Sequence, residues 1–305
     1  MKKTLQSGTA HCILRLVLYI FLPVAGSSQP FVDLLNVKYQ RFPDVSFTAD
    51  SNDKLRSDQT EVTFFLPMEQ KNKDVMMIGG DYTQLGFSTS GSNAINTNLY
   101  STCLYLGYEH QMKSPKWKAM LMAIPKFNSD AVKFASEDFQ MGGLALFTYK
   151  KKDNLKYHFG AYYNREFFGD YFIPLIGIDW KATSHINVFG DLPSNLNMEY
   201  KFSKAFYAGA SFVSVISSYR INNSGTPGMY VREGDKDLGH DQLKLFVNAY
   251  LASHMVIFAE VGQTFNRFYQ LYDKQQDAEV ANPVYRKSQD GMFFNIGFAY
   301  RYRLD

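Results

Sequence analysis

The sequence predicts one closed antiparallel β-barrel that spans a membrane, preceded by a cleaved signal peptide. Three observations support this prediction: an apolar amino-terminal run, apolar residues that alternate with polar ones, and short turns that alternate with longer loops. A chain of 305 residues is long enough for one large barrel or for two ordinary domains. We therefore divide it into a signal peptide at 1–27 and a barrel at 28–305.

The amino-terminal segment has the order of an export signal. Lys2 and Lys3 supply positive charge, an apolar run extends from Leu16 to Ala25, and the small residues 26–28 offer a cleavage site. The run is far shorter than the roughly 20 apolar residues that a spanning helix needs. Because Arg15 lies at the start of the run, a short amino-terminal anchor or a buried helix is the alternative.

Composition excludes several classes of function. Lys2, Lys3 and Arg15 account for the whole formal charge of +3, so the mature chain is neutral and gives no argument for nucleic-acid binding. Of the 2 cysteines only Cys103 survives processing, which excludes an intramolecular disulfide framework and a cysteine metal cluster. Aromatic residues make up 16% of the chain, which suits the aromatic girdles of a membrane barrel, with an ordinary core as the alternative.

The clearest strand is the last one, Met292 to Leu304, in which apolar side chains from Phe294 onward alternate with polar or small ones. A strand places such residues on one face, whereas a helix would scatter them. In 138–149 and 206–220 small residues occupy both alternating faces of the predicted strand, so neither face can be assigned to lipid or to the interior. The same alternation recurs in three earlier segments: 155–164, 196–202 and 243–251.

Connections of two lengths alternate along the chain, as periplasmic turns and extracellular loops do in outer-membrane barrels. Short polar joints lie at 70–73, 112–116, 150–154, 182–184, 203–205 and 252–254. Longer loops lie at 42–59, 87–96, 128–137, 222–239 and 271–290, with tighter ones at 167–171 and 192–195. The pattern predicts about fourteen strands, and twelve if the two short segments of 185–202 do not both span. We expect Pro67, Pro125 and Pro174 near strand ends or bulges, because proline donates no ladder hydrogen bond.

Four features carry a resemblance: the signal peptide, the segment Pro-Leu-Ile-Gly-Ile-Asp-Trp at 174–180, the stretch 192–200 and the alternating final strand. In these features the chain resembles uncharacterised outer-membrane β-barrel families of Gram-negative bacteria. The resemblance implies an outer-membrane location, contact with outer-membrane lipid and insertion by the barrel-assembly machinery. It implies no site residue, because these families have no assigned activity. The chain departs from them at Leu304 and Asp305, where such barrels commonly end on an aromatic residue.

Charged residues on the polar faces of the strands are the candidates for a lumen-facing site. Their mixed signs allow two interpretations: the charges pair and plug a narrow barrel, or they line a wet passage that selects solutes. A barrel of twelve to fourteen strands is wide enough for either. The candidates are Glu109, Lys156, Glu166, Lys201, Lys244, Glu260, Arg301 and Arg303.

The sequence gives no catalytic or metal-binding pattern, and we expect no cofactor. The histidines of the mature chain are dispersed, and each is interpreted as a structural residue. The carboxylate-rich loop 233–241 lacks the ligand order of an EF-hand, so a hydrated loop is favoured over a calcium site. We therefore expect a non-enzymatic pore, transporter or surface structural protein. The alternatives are a barrel hydrolase acting on lipid or envelope polymer, and a secreted β-sandwich that binds a ligand.

Overall fold

The computed structural model describes residues 30–46, 54–90, 96–222, 229–234, 240–267, 269–272 and 288–304. The predicted signal peptide at 1–27 lies outside these residues. Among the described residues, no helix is long and apolar enough to cross a membrane. A single 3-10 turn, Ser136–Asp138, interrupts the strands in this part of the chain.

The described residues form one 17-stranded sheet, of which 14 strands make the wall of a closed antiparallel barrel. The sheet closes because its first strand pairs with both the second strand and the last one. The first eight wall strands are β1 (Phe31–Ser46), β2 (Lys54–Glu69), β3 (Val75–Thr89), β4 (Asn96–Gln111), β5 (Trp117–Ser129), β6 (Phe139–Lys152), β7 (Leu155–Glu166) and β8 (Gly169–Lys181). The other six are β9 (Ile186–Leu192), β10 (Asn195–Lys201), β11 (Phe206–Val215), β14 (His240–Tyr250), β15 (Met255–Phe265) and β17 (Met292–Arg303). Three further strands leave the wall: β12 (Ser217–Ile221), β13 (Met229–Glu233) and β16 (Tyr269–Tyr272).

The wall has a short-turn rim and a long-loop rim, as the sequence predicts. The short-turn rim carries the connections 70–74, 112–116, 153–154, 182–185, 202–205 and 251–254, together with both ends of the wall. The strands β9 and β10 have 7 residues each, and each pairs with both of its neighbours. Because both strands belong to the closed ladder, the predicted count of fourteen is confirmed and the alternative of twelve is wrong.

The predicted long loops are too long. Residues 42–46 and 54–59 belong to β1 and β2, and the predicted loop 222–239 contains β13. The strands β1 and β2 have 16 residues each, against the roughly 9–11 that cross a bilayer at barrel tilt. The ends of these strands therefore project beyond the hydrocarbon into water. The polar residues at these ends are the reason that the sequence pattern assigned them to loops.

Large apolar side chains cover the outside of the wall. On β17, Phe294, Ile296 and Tyr300 are exposed, whereas Asn295 and Arg301 on the alternate positions are buried. Such a continuous apolar exterior suits hydrocarbon and not water, and the fold is that of a transmembrane barrel. Other exposed apolar residues are Leu35, Val37, Leu104, Leu106, Leu121, Phe147, Phe159, Ile176, Leu245 and Ile257.

The three strand prolines lie where a neighbouring ladder bond is missing. Pro67 lies beyond the β1–β2 ladder, which stops at Phe64. Pro125 falls in a gap of the β4–β5 ladder, where the register itself does not change. Pro174 precedes Ile176, at which the β8–β9 ladder begins, because β9 is much shorter than β8. Proline is therefore placed at ladder ends and gaps, where its missing N–H has no partner to lose.

The strands β12, β13 and β16 form an inner sheet that crosses the barrel at the long-loop end. β12 continues from β11 and meets β5, six positions away in the wall, where Arg220 lies beside Ser129. β13 pairs with β12 on one side and with β16 on the other. The inner sheet packs against the wall strands β1 to β4 through one buried apolar cluster: Val45, Leu55, Leu85, Phe87, Leu99, Tyr219, Ile221, Val231 and Tyr269.

The turn between β2 and β3 is held by Asp74, whose side chain is only 3% exposed. Its carboxylate accepts hydrogen bonds from the backbone N–H of Gln111 at 2.8 Å, from Asn72 Nδ2 at 2.7 Å and from the Tyr108 hydroxyl. His110 Nδ1 lies 3.1 Å away. The hydrogen bonds from Tyr108 and Gln111 lower the pKa of Asp74 from 3.8 to about 2, because they favour the ionised carboxylate.

We expect Asp74→Asn to lower the free energy of unfolding at pH 7. Because folding lowers the pKa of Asp74, its ionised carboxylate adds to the free energy of unfolding. This contribution is complete above the ordinary pKa of 3.8 and is lost as the pH falls toward about 2. The difference between the wild type and the variant should therefore shrink between about pH 4 and pH 2, measured by urea unfolding in lipid vesicles. Asp153→Asn is the control, since the Asp153 side chain, two turns away on the same rim, is 99% exposed and its ion pair with Lys150 is a surface pair that contributes little to stability. A difference that stays constant across this pH range would contradict the assignment.

We also expect the closed wall to resist sodium dodecyl sulfate until it is heated. Its backbone groups are paired around the whole circumference, so detergent finds no free edge from which to unravel the sheet. The unboiled protein should run at a different position from the boiled protein on a denaturing gel. Identical mobility of the two samples would argue against a closed barrel.

Candidate functional site

The eight candidate residues lie on strands of the wall, and most of them contact a partner of opposite charge. Lys244 and Glu260, both predicted, meet each other at 3.0 Å. The remaining contacts join predicted residues to residues that the sequence did not single out. These contacts are Glu109 with Lys118, Glu166 with Lys126, Arg301 with Asp33, Arg303 with Glu199, Lys156 beside Asp179 in the β7–β8 register, and Lys201 over the ring of Tyr207.

Charged and aromatic side chains fill one half of the interior near the short-turn rim. Phe31 on β1 meets Phe189 on β9, six positions away in the wall, with ring centroids 5.5 Å apart. The Arg301 guanidinium lies 3.6 Å from the centre of the Phe31 ring. Arg303 donates two hydrogen bonds, of 2.8 and 3.1 Å, to the fully buried carboxylate of Glu199. The half of the barrel enclosed by β9 to β17 is therefore packed at this end.

A second polar cluster ties the inner sheet to the wall near the long-loop rim. Ser218 on β12 donates a 2.6 Å hydrogen bond to Glu166, which also accepts one of 3.2 Å from Gln140. Lys126 Nζ lies 3.5 Å from the same carboxylate. Two residues further along β12, Arg220 donates a 3.0 Å hydrogen bond to Asp138, beyond the end of β5. The inner sheet is thus held by charge on one side and by the apolar cluster on the other.

A cavity of about 450 Å³ lies inside the wall along β1 to β9, toward the short-turn rim, and no described residue of the inner sheet lines it. Its lining reaches the short-turn rim at Val32, Pro67 and Leu304. The apolar residues of the lining lie on β2, β3, β5 and β6, with the Glu109–Lys118 ion pair among them. They are Phe65, Val75, Met77, Met120, Met122 and Leu146. The charged residues of the lining are Asp33, Glu109, Lys118, Lys156, His158, Asp179 and Asp191.

His158 is the centre of a charged wall, which consists of Lys156, His158, Asp179 and Asp191 on β7 to β9. Its Nε2 lies 3.2 Å from Asp179 Oδ2, and its Nδ1 lies 2.9 Å from Asp191 Oδ1. His158, Gly177 and Asp191 occupy one row across three adjacent strands. A Cβ on Gly177 would lie 2.0 Å from Asp191 Oδ1, so the missing side chain leaves the space through which Asp191 reaches the imidazole.

Sequence reasoning placed Lys156 on a polar face and interpreted His158 as a structural histidine, but it missed Asp179, Asp191 and Gly177. The two aspartates do alternate with apolar neighbours, which is the available signal. Their approach to one histidine depends on the register between three strands, and local periodicity contains no such information.

The other histidines of the described residues have separate surroundings. His110 contacts Asp74, His185 Nδ1 lies 2.9 Å from Ser184 Oγ, and His254 Nδ1 lies 3.2 Å from the carbonyl of Arg301. His240 contacts Glu233 at 3.2 Å, at the two ends of the carboxylate-rich loop, whose residues 235–239 are outside the described part. In the residues that the structure describes, no group of three or more histidine, cysteine or acidic residues is placed to hold a metal ion.

Comparison with known sequences identifies one family. The profile of the family described as "Domain of unknown function (DUF6268)" matches residues 29–301. No curated protein matches the chain.

The chain is also similar to solved outer-membrane proteins. A channel from Pseudomonas putida F1 is 8% identical with a TM-score of 0.48, over 98% of this chain and 100% of that chain. The Pseudomonas putida toluene transporter TodX is 11% identical with a TM-score of 0.35, over 88% of this chain and 90% of that chain. Outer-membrane phospholipase A from Escherichia coli is 10% identical with a TM-score of 0.36, over 89% of this chain and 97% of that chain. Similarities this distant assign no function.

We expect Glu199→Ala to lower the free energy of unfolding by about 3 kcal/mol, because it leaves the Arg303 guanidinium buried without its ion-pair partner. Urea unfolding in lipid vesicles measures the change. The double variant Glu199→Ala, Arg303→Met should recover most of the loss, since no uncompensated charge remains. If the double variant is less stable than the single one, the loss comes from packing and not from charge.

Proposed function

Since the chain belongs to the family described as "Domain of unknown function (DUF6268)", we propose its function from its own geometry: a gated outer-membrane passage for small solutes, closed in the conformation described here. The observation that carries this proposal is a cavity of about 450 Å³ that lies inside a closed wall and reaches the short-turn rim, while the inner sheet crosses the barrel at the long-loop end. An open porin would instead contain a continuous aqueous channel.

The exterior of the barrel supports an outer-membrane location. Closed β-barrels and helices are the structures that satisfy their backbone groups in hydrocarbon, and barrels of this type belong to outer membranes. Exposed residues such as Leu121 and Ile296 give the wall a surface that water would disfavour. The predicted lipid contacts and the assembly machinery follow from this location and are part of the proposal.

We propose the inner sheet as the gate. Its strands continue from wall strands on one side of the barrel and end against the apolar cluster of β1 to β4 on the other. Ile221 and Val231 in that cluster are 0% and 2% exposed, so separating the inner sheet from the wall exposes apolar surface to water. Transient separation of this contact would open the long-loop end of the interior without breaking the closed ladder.

The proposal includes no catalytic step. The contact between Ser184 Oγ and His185 Nδ1 is the arrangement that most resembles a nucleophile with its base, but both residues lie on an exposed turn. In the described contacts, His158 faces two carboxylates and no side-chain hydroxyl group. A hydrolase needs a nucleophile or an activated water beside such a base.

We expect Ile221→Asp to open the passage. A carboxylate at this fully buried position would be desolvated among apolar residues, so the inner sheet should leave the wall. In planar lipid bilayers the wild type should show no steady current, and Ile221→Asp should show steady ohmic conductance.

Ile221→Val is the matched control, because it removes one methylene group, keeps the contact apolar and should stay closed. The shift in gel mobility on boiling reports that each variant retains the wall. Steady conductance of the wild type would overturn the closed state. Absence of current in the Ile221→Asp variant with an intact wall would overturn the passage.

A further inference from the structure

The cavity has two walls of different chemistry, and this difference carries an inference about the solute. We propose that the cavity binds a small amphipathic zwitterion, with its apolar body against the methionine-rich wall and its ammonium and carboxylate groups on the charged wall. The inference deepens the proposed function, since it names the class of solute for the same passage.

The apolar wall provides a site for the body of the solute. Met77, Met120 and Met122 face the cavity together with Val75 and Leu146. Apolar residues inside a membrane barrel are not explained by contact with lipid, because that contact is on the outer face. Methionine side chains adapt to ligands of different shape, which suits a wall that receives an apolar group.

The charged residues that line the cavity include both acidic and basic side chains, and these lie in pairs of opposite charge. Asp33 is paired with Arg301, Glu109 with Lys118, and Lys156 lies beside Asp179 in register. A solute with a net charge would therefore leave one charge without a counter-charge inside the barrel, which is unfavourable in a site that is partly removed from water. A zwitterion keeps the balance and offers a partner to each sign.

The ammonium group of the solute fits at Asp191. Both nitrogens of His158 face carboxylate oxygens, and both contacts are hydrogen bonds only when both nitrogens carry a proton. Of these three side chains Asp191 is the most exposed, at 28%, so it is the carboxylate that a solute can reach. Gly177 leaves the space in which this carboxylate lies, as the contact distance of an added Cβ shows.

The carboxylate of the solute fits at Lys156. This lysine lies two residues before His158 on β7 and on the same face, because side chains alternate along a strand. It lines the cavity together with Asp191, two strands away. Lys156 and Asp191 therefore both lie next to His158, at the part of the cavity that the head group would occupy. The cavity volume of about 450 Å³ is within the range of small-molecule sites.

Three probes that share a phenyl body test the inference. Phenylalanine carries both charges, 2-phenylethylammonium lacks the carboxylate, and 3-phenylpropionate lacks the ammonium group. Binding to the full chain in lipid nanodiscs is measured by calorimetry, with the heat of empty nanodiscs subtracted. We expect phenylalanine to bind about tenfold more tightly than either analogue, because each analogue loses one charge-assisted contact.

Two variants should separate the two ends of the solute. Asp191→Asn should weaken phenylalanine and 2-phenylethylammonium about tenfold and leave 3-phenylpropionate unchanged, whereas Lys156→Gln should weaken phenylalanine and 3-phenylpropionate alone. Gly177→Ala should act like Asp191→Asn, since it displaces the same carboxylate. Asp170→Asn is the control, because Asp170 lies on the long-loop rim beside Tyr163. The gel-mobility shift on boiling confirms the fold of each variant.

Equal affinity for the three probes, or tighter binding of either analogue than of phenylalanine, would overturn the inference. So would variants that weaken all three probes alike. The calorimetry measures binding and not transport, so its result does not depend on whether the Ile221→Asp variant conducts. The inference and the proposed function can therefore fail separately.

Discussion

Closure of the sheet is the constraint on which the rest of the structure depends. In hydrocarbon each unpaired backbone group costs several kcal/mol, so a spanning sheet has to pair its last strand with its first. The ladder between β1 and β17 does this from Phe31 to Arg41. Deviations occur at gaps and ends of the ladder, as at Pro125 and Pro174, and at a register shift between Asp33 and Leu35 near the end of the closing ladder itself.

A closed wall of 14 strands encloses more space than its own inward side chains fill. The chain fills this space differently at its two ends. At the long-loop end it turns part of its backbone inward, so three strands bring apolar residues such as Ile221 to the wall. At the short-turn end it uses long side chains, of which Arg303 reaches Glu199. The cavity remains along β1 to β9 toward the short-turn rim, and its lining includes neither the described residues of the inner sheet nor Arg303 and Glu199.

The wall was predictable from the sequence, because lipid on one side and polar surroundings on the other impose a period of two on each strand. Residues 294–302 show that period in full, and the count of fourteen follows from the connections. The inner sheet was not predictable. Tyr219 and Ile221 face the wall and not lipid, so their strand lacks the alternation of apolar and polar residues that marks a wall strand. The sequence of 206–220 accordingly showed no such alternation. The contact of His158 with Asp191 depends on the register of three strands, which no single segment encodes.

Stability alone does not account for the charges around the cavity. Taking ions out of water costs several kcal/mol each, and apolar residues of similar volume at buried ion pairs often leave a protein equally stable or more stable. His158 and Asp179 nevertheless lie together in a largely buried position, and Gly177 leaves room for a second carboxylate beside them. The neighbouring methionines show that this chain does place apolar residues on the inner face. The charged wall is therefore a feature that the proposed solute would explain and that stability alone does not.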